Sequence, residues 1–228
     1  MGLARFAAFV GVGVCVVLPG ATALAANDFD KRGADFWQWA LATPTADNPL
    51  LDTTGADCAV GQNGGTWFLA GGFGPGGTFV RSCSVPENKT IVFPVANQVN
   101  IDTPNICGQP DQHVSVDDLR AASAAFVNGV SGVSVELDGQ AITPTRLLSP
   151  VFMTTLPADN IFDAPCSGLG DVPAGKFKPS VDDGLYVELG RLSLGTHTLH
   201  FQAQNLLFGF DLDVTYHLTI VGPGASGG

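Results

Sequence analysis

Three residues near the C-terminus have the types and spacing for a metal centre: His200, His217 and Asp213. They fall in two strand-like runs, Gly195 to Asn205 and Phe210 to Val221, joined by Leu206-Leu207-Phe208-Gly209. If residue 205 pairs with residue 210, His200 lies opposite Thr215 and His217 opposite Thr198. Alternate residues of a strand share a face, so both rings and Asp213 stand on one outer face, with the rings diagonal to each other. Imidazole and carboxylate together suit a transition-metal ion. The competing reading is a solvated polar face of an antiparallel sheet. His197 falls on the face opposite His200 and cannot join it. A second cation, calcium, has candidate ligands in Asp159, Asp163, Asp171, Asp182 and Asp183, without the spacing of an EF-hand loop. No other cofactor is expected.

The cysteines are the next reactive groups. Cys15 lies in an apolar leader, which leaves Cys58, Cys83, Cys107 and Cys166. An even count behind an export signal reads as two disulfides. Four cysteines permit three pairings, and Cys58–Cys83 with Cys107–Cys166 is favoured because the first pair brackets one predicted hairpin. There is no Cys-x-x-Cys, so a zinc site is not expected. Trp37 and Trp39 are candidates for stacking on a ligand, set against the ordinary role of tryptophan in a core. Nucleophile signatures are missing: there is no Gly-x-Ser-x-Gly elbow and no His-Glu-x-x-His. Gly72 to Gly77 matches Gly-x-Gly-x-x-Gly, but Thr78-Phe79-Val80 follows as a strand. A phosphate site there would need a helix N-terminus, so these glycines are read as a turn.

The elements that must carry these residues are mostly strands. Residues 66–70 and 78–84 are expected to form a hairpin, and 89–96 a third strand too apolar on both faces for a sheet edge. Together with the cysteines, this predicts a stapled meander over Cys58–Asn97. Two helices interrupt the strands. Lys31 to Leu41 places Phe36, Trp37, Ala40 and Leu41 on one face, with Trp39 off it. Val116 to Asn128 is capped by Ser115, carries Asp117 and Asp118 in its first turn, and buries Leu119, Ala122, Phe126 and Val127. Further strands are expected at 133–137, 146–155 and 185–189, with Asp138-Gly139 as a turn. The run 157–183 is predicted to be irregular and held by Cys166.

Residues 1–25 read as a signal peptide: Arg5, then the apolar run Phe6–Leu18, then Ala23-Leu24-Ala25. The apolar run is too short to span a bilayer. The whole chain carries a formal charge of −11. Without Arg5, nine basic residues face 21 acidic ones, a net −12. Such a chain is not expected to bind nucleic acid or anionic membranes, nor to insert in a membrane. The predicted location is secreted or periplasmic.

Two resemblances add to this. Leu194-Gly-Thr-His-Thr-Leu-His-Phe201 resembles the penultimate strand of bacterial immunoglobulin-like sandwich modules, over residues 130–222. The run from Cys58 through Gly61-Gln62, Trp67-Phe68-Leu69-Ala70-Gly71, Arg81-x-Cys83-x-Val85-Pro86 and Phe93-Pro94-Val95-x-Asn97 resembles a family of secreted, disulfide-bonded bacterial β-proteins. That resemblance implies an exported β-protein and carries no activity or site residues. The expectation is an all-β sandwich, immunoglobulin-like or jelly-roll-like, in two packed halves with two short helices. Residues 26–128 form the first half, 129–222 the second, and 223–228 a flexible tail. The expected function is a non-enzymatic binding or structural protein of the cell exterior, recognising glycan or protein or assembling with itself as a homo-oligomer. The alternative is a secreted hydrolase using metal or carboxylate chemistry, with Asp211/Asp213 and the two histidines as its centre.

Overall fold

The computed structural model describes residues 28–170 and 172–222. The expected signal peptide, Asp171 and the tail from 223 lie outside them. The protein is an all-β sandwich with, among the described residues, two α-helices. In chain order these are α1 (Lys31–Leu41), β1 (Thr66–Phe68), β2 (Gly76–Pro86), β3 (Thr90–Ile101), α2 (Val116–Asn128), β4 (Ser131–Leu137), β5 (Gln140–Ala141), β6 (Thr145–Leu148), β7 (Phe152–Leu156), β8 (Gly175–Leu189), β9 (Gly195–Asn205) and β10 (Phe210–Val221).

One sheet has the order β1-β3-β8-β6, with β7 also on β8; the other has the order β2-β10-β9-β4-β5. Both helices keep their expected bounds. Ser115 accepts the Asp118 N–H at 3.1 Å. On α2 the buried stripe is Leu119, Ser123, Phe126 and Val127, and Ala122 is exposed. Ser123 is tolerated there because it accepts from Asn100 at 2.7 Å and donates to the Leu119 carbonyl at 3.2 Å.

The meander does not form. β1 pairs parallel with β3, and β2 pairs parallel with β10 in the other sheet. The alternation of β2 accounts for this. Arg81, Cys83 and Val85 are buried, so β2 is one wall of the sandwich rather than half of a hairpin. The two expected parts, 26–128 and 129–222, both contribute strands to both sheets. β2 lies beside β10, β3 lies beside β8, and each sheet draws on both parts of the chain. What packs is sheet against sheet.

Two apolar clusters result. One lies between the sheets, built from Ile91, Phe93 and Val95 of β3, Val187 of β8 and the inward residues of β9 and β10. The other lies on the outer face of the first sheet, where α1 seats Phe36, Trp37 and Trp39 against Phe68, Val92 and Tyr186. β3 is buried on both faces, as its composition required. The C-terminal hairpin has the expected register, Phe210 opposite Asn205 and His200 opposite Thr215.

Both favoured disulfides form, with Cα–Cα separations of 5.9 Å for Cys58–Cys83 and 5.1 Å for Cys107–Cys166. They close stretches of 25 and 59 residues. From loop entropy, replacing Cys107 and Cys166 together by alanine is expected to lower the unfolding free energy by about 4 kcal/mol. Urea denaturation measures it, and a loss under about 1 kcal/mol would contradict the entropic account.

Candidate apolar trough along a free strand edge

The site arises from an interrupted sheet edge. β1 covers only Thr90–Val92 of β3. One further bond, Leu69 N–H to the Val92 carbonyl at 3.0 Å, ends the contact. Pro94 follows with no N–H to offer, and the register slips between Pro94 and Ala96. β3 then runs on to Ile101 with β8 along one edge and, among the described residues, no strand along the other. The chain leaving β1 turns off through Gly71–Gly74, so the bare edge of β3 becomes the wall of a cleft.

That cleft has a volume of about 320 Å³ and is walled by Pro94–Val99, the 71–74 turn and Phe162, Pro165 and Cys166. A second cleft of about 390 Å³ continues along Val99–Ile101 towards Ile106, Leu156 and Val172. Val99, Phe162 and the two sulfur-linked residues Cys107 and Cys166 border both. The disulfide is therefore a strap across one trough. Phe73 and Phe162 meet edge to face across the mouth of the first cleft, their centroids 5.8 Å apart. Among the described residues, no ionisable side chain lines either cleft.

Two buried carboxylates hold the surroundings. Asp102 receives the Val114 N–H at 2.9 Å, Gln109 at 2.8 Å and His113 at 2.5 Å. Burial raises its carboxyl, but these bonds outweigh burial and keep it below its ordinary value. They fix the loop that carries Cys107. Asp182 has no exposed surface and sits behind the floor of the trough. It accepts Trp37 Nε1 at 2.7 Å, the Tyr186 hydroxyl at 2.9 Å and Asn97 Nδ2 at 3.5 Å. Trp37 and Asn97 both line the first cleft. Burial pushes Asp182 up to about 7, against the pull of the Trp37 and Tyr186 hydrogen bonds. A Cβ at residue 33 would collide with its Oδ2, so α1 comes this close only because Gly33 is there. Sealed in this way, Asp182 positions the floor and is not placed to reach a substrate.

The expected metal centre is not assembled. His200 Nε2 lies 2.9 Å from Asp213 Oδ1, as the register implied. His217 does not join them: it lies on the other side of Thr215 from Asp213 along β10, so the His200 ring, turned towards Asp213, is turned away from it. Among the described residues, no group of three or more His, Cys, Asp and Glu is placed to hold a metal ion. Three histidines instead take one aspartate each: His113 with Asp102, His197 with Asp138, His200 with Asp213.

The described members of the candidate calcium set do not come together as a group of three either. Asp182 and Asp183 belong to β8, which begins at Gly175, so the irregular run is shorter than expected. Asp183 is bonded to Arg146 at 2.9 and 2.7 Å. Asp163 accepts the Asn160 N–H at 3.1 Å. Asp171 is outside the described residues.

Both tryptophans are almost wholly buried; Trp37 borders the trough, and Trp39 a separate cleft of about 530 Å³ beside Asp35, Gln38 and Thr66. Trp37 is 5% exposed and Trp39 8%. Trp39 packs between Phe36 and Phe68, at 5.6 and 5.5 Å, and its Nε1 donates to the Val60 carbonyl at 2.8 Å. Only Trp37 borders the trough. The sequence reading missed the trough itself; its one local sign is Pro94 inside an apolar strand run.

No family model, no curated protein and no solved structure matches this chain.

Proposed function

We propose that this is a non-enzymatic binding module of the cell exterior whose ligand is an extended polypeptide segment. The segment adds as a strand to the free edge of β3, inside the strapped trough. The observation carrying the reading is the coincidence of that bare edge with the two clefts. Unpaired backbone donors and acceptors favour a partner with a backbone of its own, and recesses beside the strand favour alternate apolar side chains. The uncharged lining among the described residues favours uncharged residues at those positions. The two disulfides and the sequence of residues 1–25 support an exported protein.

Synthetic octapeptides alternating valine with threonine are the probe, with binding read by titration calorimetry. Strand addition predicts that N-methylating alternate backbone amides on the pairing side weakens binding by about 1.4 kcal/mol or more, which is tenfold in Kd. Phe162→Ala is expected to weaken it about as much by opening the mouth. Equal binding of methylated and unmethylated peptides would sink the reading. So would binding of a fatty acid in the same trough with no peptide binding.

A further inference from the structure

The turn between β9 and β10 is a protruding apolar tip. Leu206, Leu207 and Phe208 are 79%, 88% and 55% exposed, three consecutive large apolar side chains in the part of the chain richest in alternating polar residues. Other exposed apolar residues, such as Val80 and Leu194, stand singly. The tip is not loose. Phe208 packs edge-on against Phe126 at 5.5 Å, Phe126 also holds Phe210 at 5.3 Å, and Asn205 Nδ2 donates to the Phe126 carbonyl at 2.6 Å. Gly209, at φ 63°, turns the chain so that both leucines point out. A rigid support beneath exposed leucines suits contact with an apolar surface, since an unneeded apolar tip would cost solubility.

We infer that this tip docks the protein on the surface of an uncharged, zwitterionic lipid bilayer. Charge selects that occupant. No Lys or Arg follows Arg191 in the chain, Asp211 lies beside the tip, and the net charge is −11. Anionic bilayers attract proteins through nearby basic residues; residues 192–222 hold none, and Arg146, bonded to Asn128 at the end of α2, is paired with Asp183 at 2.7 Å. Size argues against a second copy: a stable protein interface engages about 20–30 residues a side, and the tip offers three side chains. A bilayer has no such minimum, because a narrow loop enters the headgroup and acyl boundary without spanning it. The inference does not rest on the peptide reading. Phe126 and Phe210 border the trough, so docking would bring the trough close to the membrane plane.

The test is flotation of the full mature chain with phosphatidylcholine vesicles. Native protein is expected to float, and Leu206→Ser with Leu207→Ser is expected to reduce partitioning about tenfold, equally at 0.1 and 1 M salt. Both leucines are exposed, so thermal stability and octapeptide binding should not change; failure here therefore leaves the trough reading standing. A second variant, Leu207→Trp, should show a blue-shifted emission with vesicles and quenching by bromolipids. The inference is overturned by no flotation, by flotation indifferent to the double substitution, or by a Leu207→Trp emission that vesicles do not move. A native dimer in lipid-free solution that the double substitution splits would equally overturn it.

Discussion

Arg81→Ala is expected to lower the unfolding free energy by about 3–5 kcal/mol, the largest loss foreseen for a single site in this protein. Arg81 is 1% exposed. Its partners are carbonyl oxygens rather than a carboxylate. Nε donates to Asp52 at 2.8 Å, and Nη1 donates to Ala70 and Gly71, each at 2.6 Å, and to the Tyr216 hydroxyl at 3.1 Å. Its Cζ stands 4.6 Å from the centre of the Phe79 ring and 5.7 Å from that of Tyr216. One side chain thus joins the turn after β1 to the segment before Cys58 and to β10. Removal leaves the Asp52 and Gly71 carbonyls short of a donor, leaves Ala70 only the Tyr216 hydroxyl at 2.9 Å, and opens a void beside two aromatic rings. Arg81→Met restores most of the volume but not the donors, so it should recover only part of the loss. Denaturant unfolding of both variants decides the matter; an Arg81→Ala protein within about 1 kcal/mol of native would show that the carbonyls find other donors.

Asp182→Asn should change how stability depends on pH. The native carboxyl titrates near 7 in the folded protein and near its ordinary 3.8 when unfolded. Between those values the folded state holds a proton that the unfolded state has released. Stability contributed by this site is therefore full below pH 4, falls as pH rises and levels off above 7. The difference of roughly 3 units corresponds to about 4 kcal/mol. Asparagine cannot ionise, so the stability of Asp182→Asn relative to native should rise by about that amount from pH 4 to pH 8. Aspartates such as Asp52, Asp102 and Asp138, held below their ordinary values by hydrogen bonds, act in the opposite sense at lower pH. They cancel in the comparison of the two proteins. A native-minus-variant difference independent of pH would mean that Asp182 stays ionised, with Trp37 and Tyr186 as its full solvation.

Much of this protein was legible locally. The period of Phe36, Trp37, Ala40 and Leu41 marks α1, the Ser115 cap marks α2, and the alternation from Phe210 to Leu218 marks a half-buried strand. Each is a short-range pattern that neighbouring residues enforce on one another. Arg81 was legible in part, because it shares the parity of Cys83 and Val85 on β2, yet an arginine in that series reads as an exception until its carbonyl partners are known. Asp182 reads locally as a loop ligand, because the apolar signal of β8 is weak around Pro179 and Gly184.

The sequence by itself determined the all-β class, both helices, the two disulfide pairings and the register of the C-terminal hairpin. All follow from propensity, periodicity and contacts close along the chain. Only the tertiary structure decided that β2 joins β10 while β1 joins β3, that the edge of β3 is left bare, and that His217 stands apart from His200 and Asp213. Those outcomes depend on which sheet a strand enters. That choice is made by burial between residues more than a hundred positions apart, such as Arg81 and Tyr216, and no local pattern encodes it.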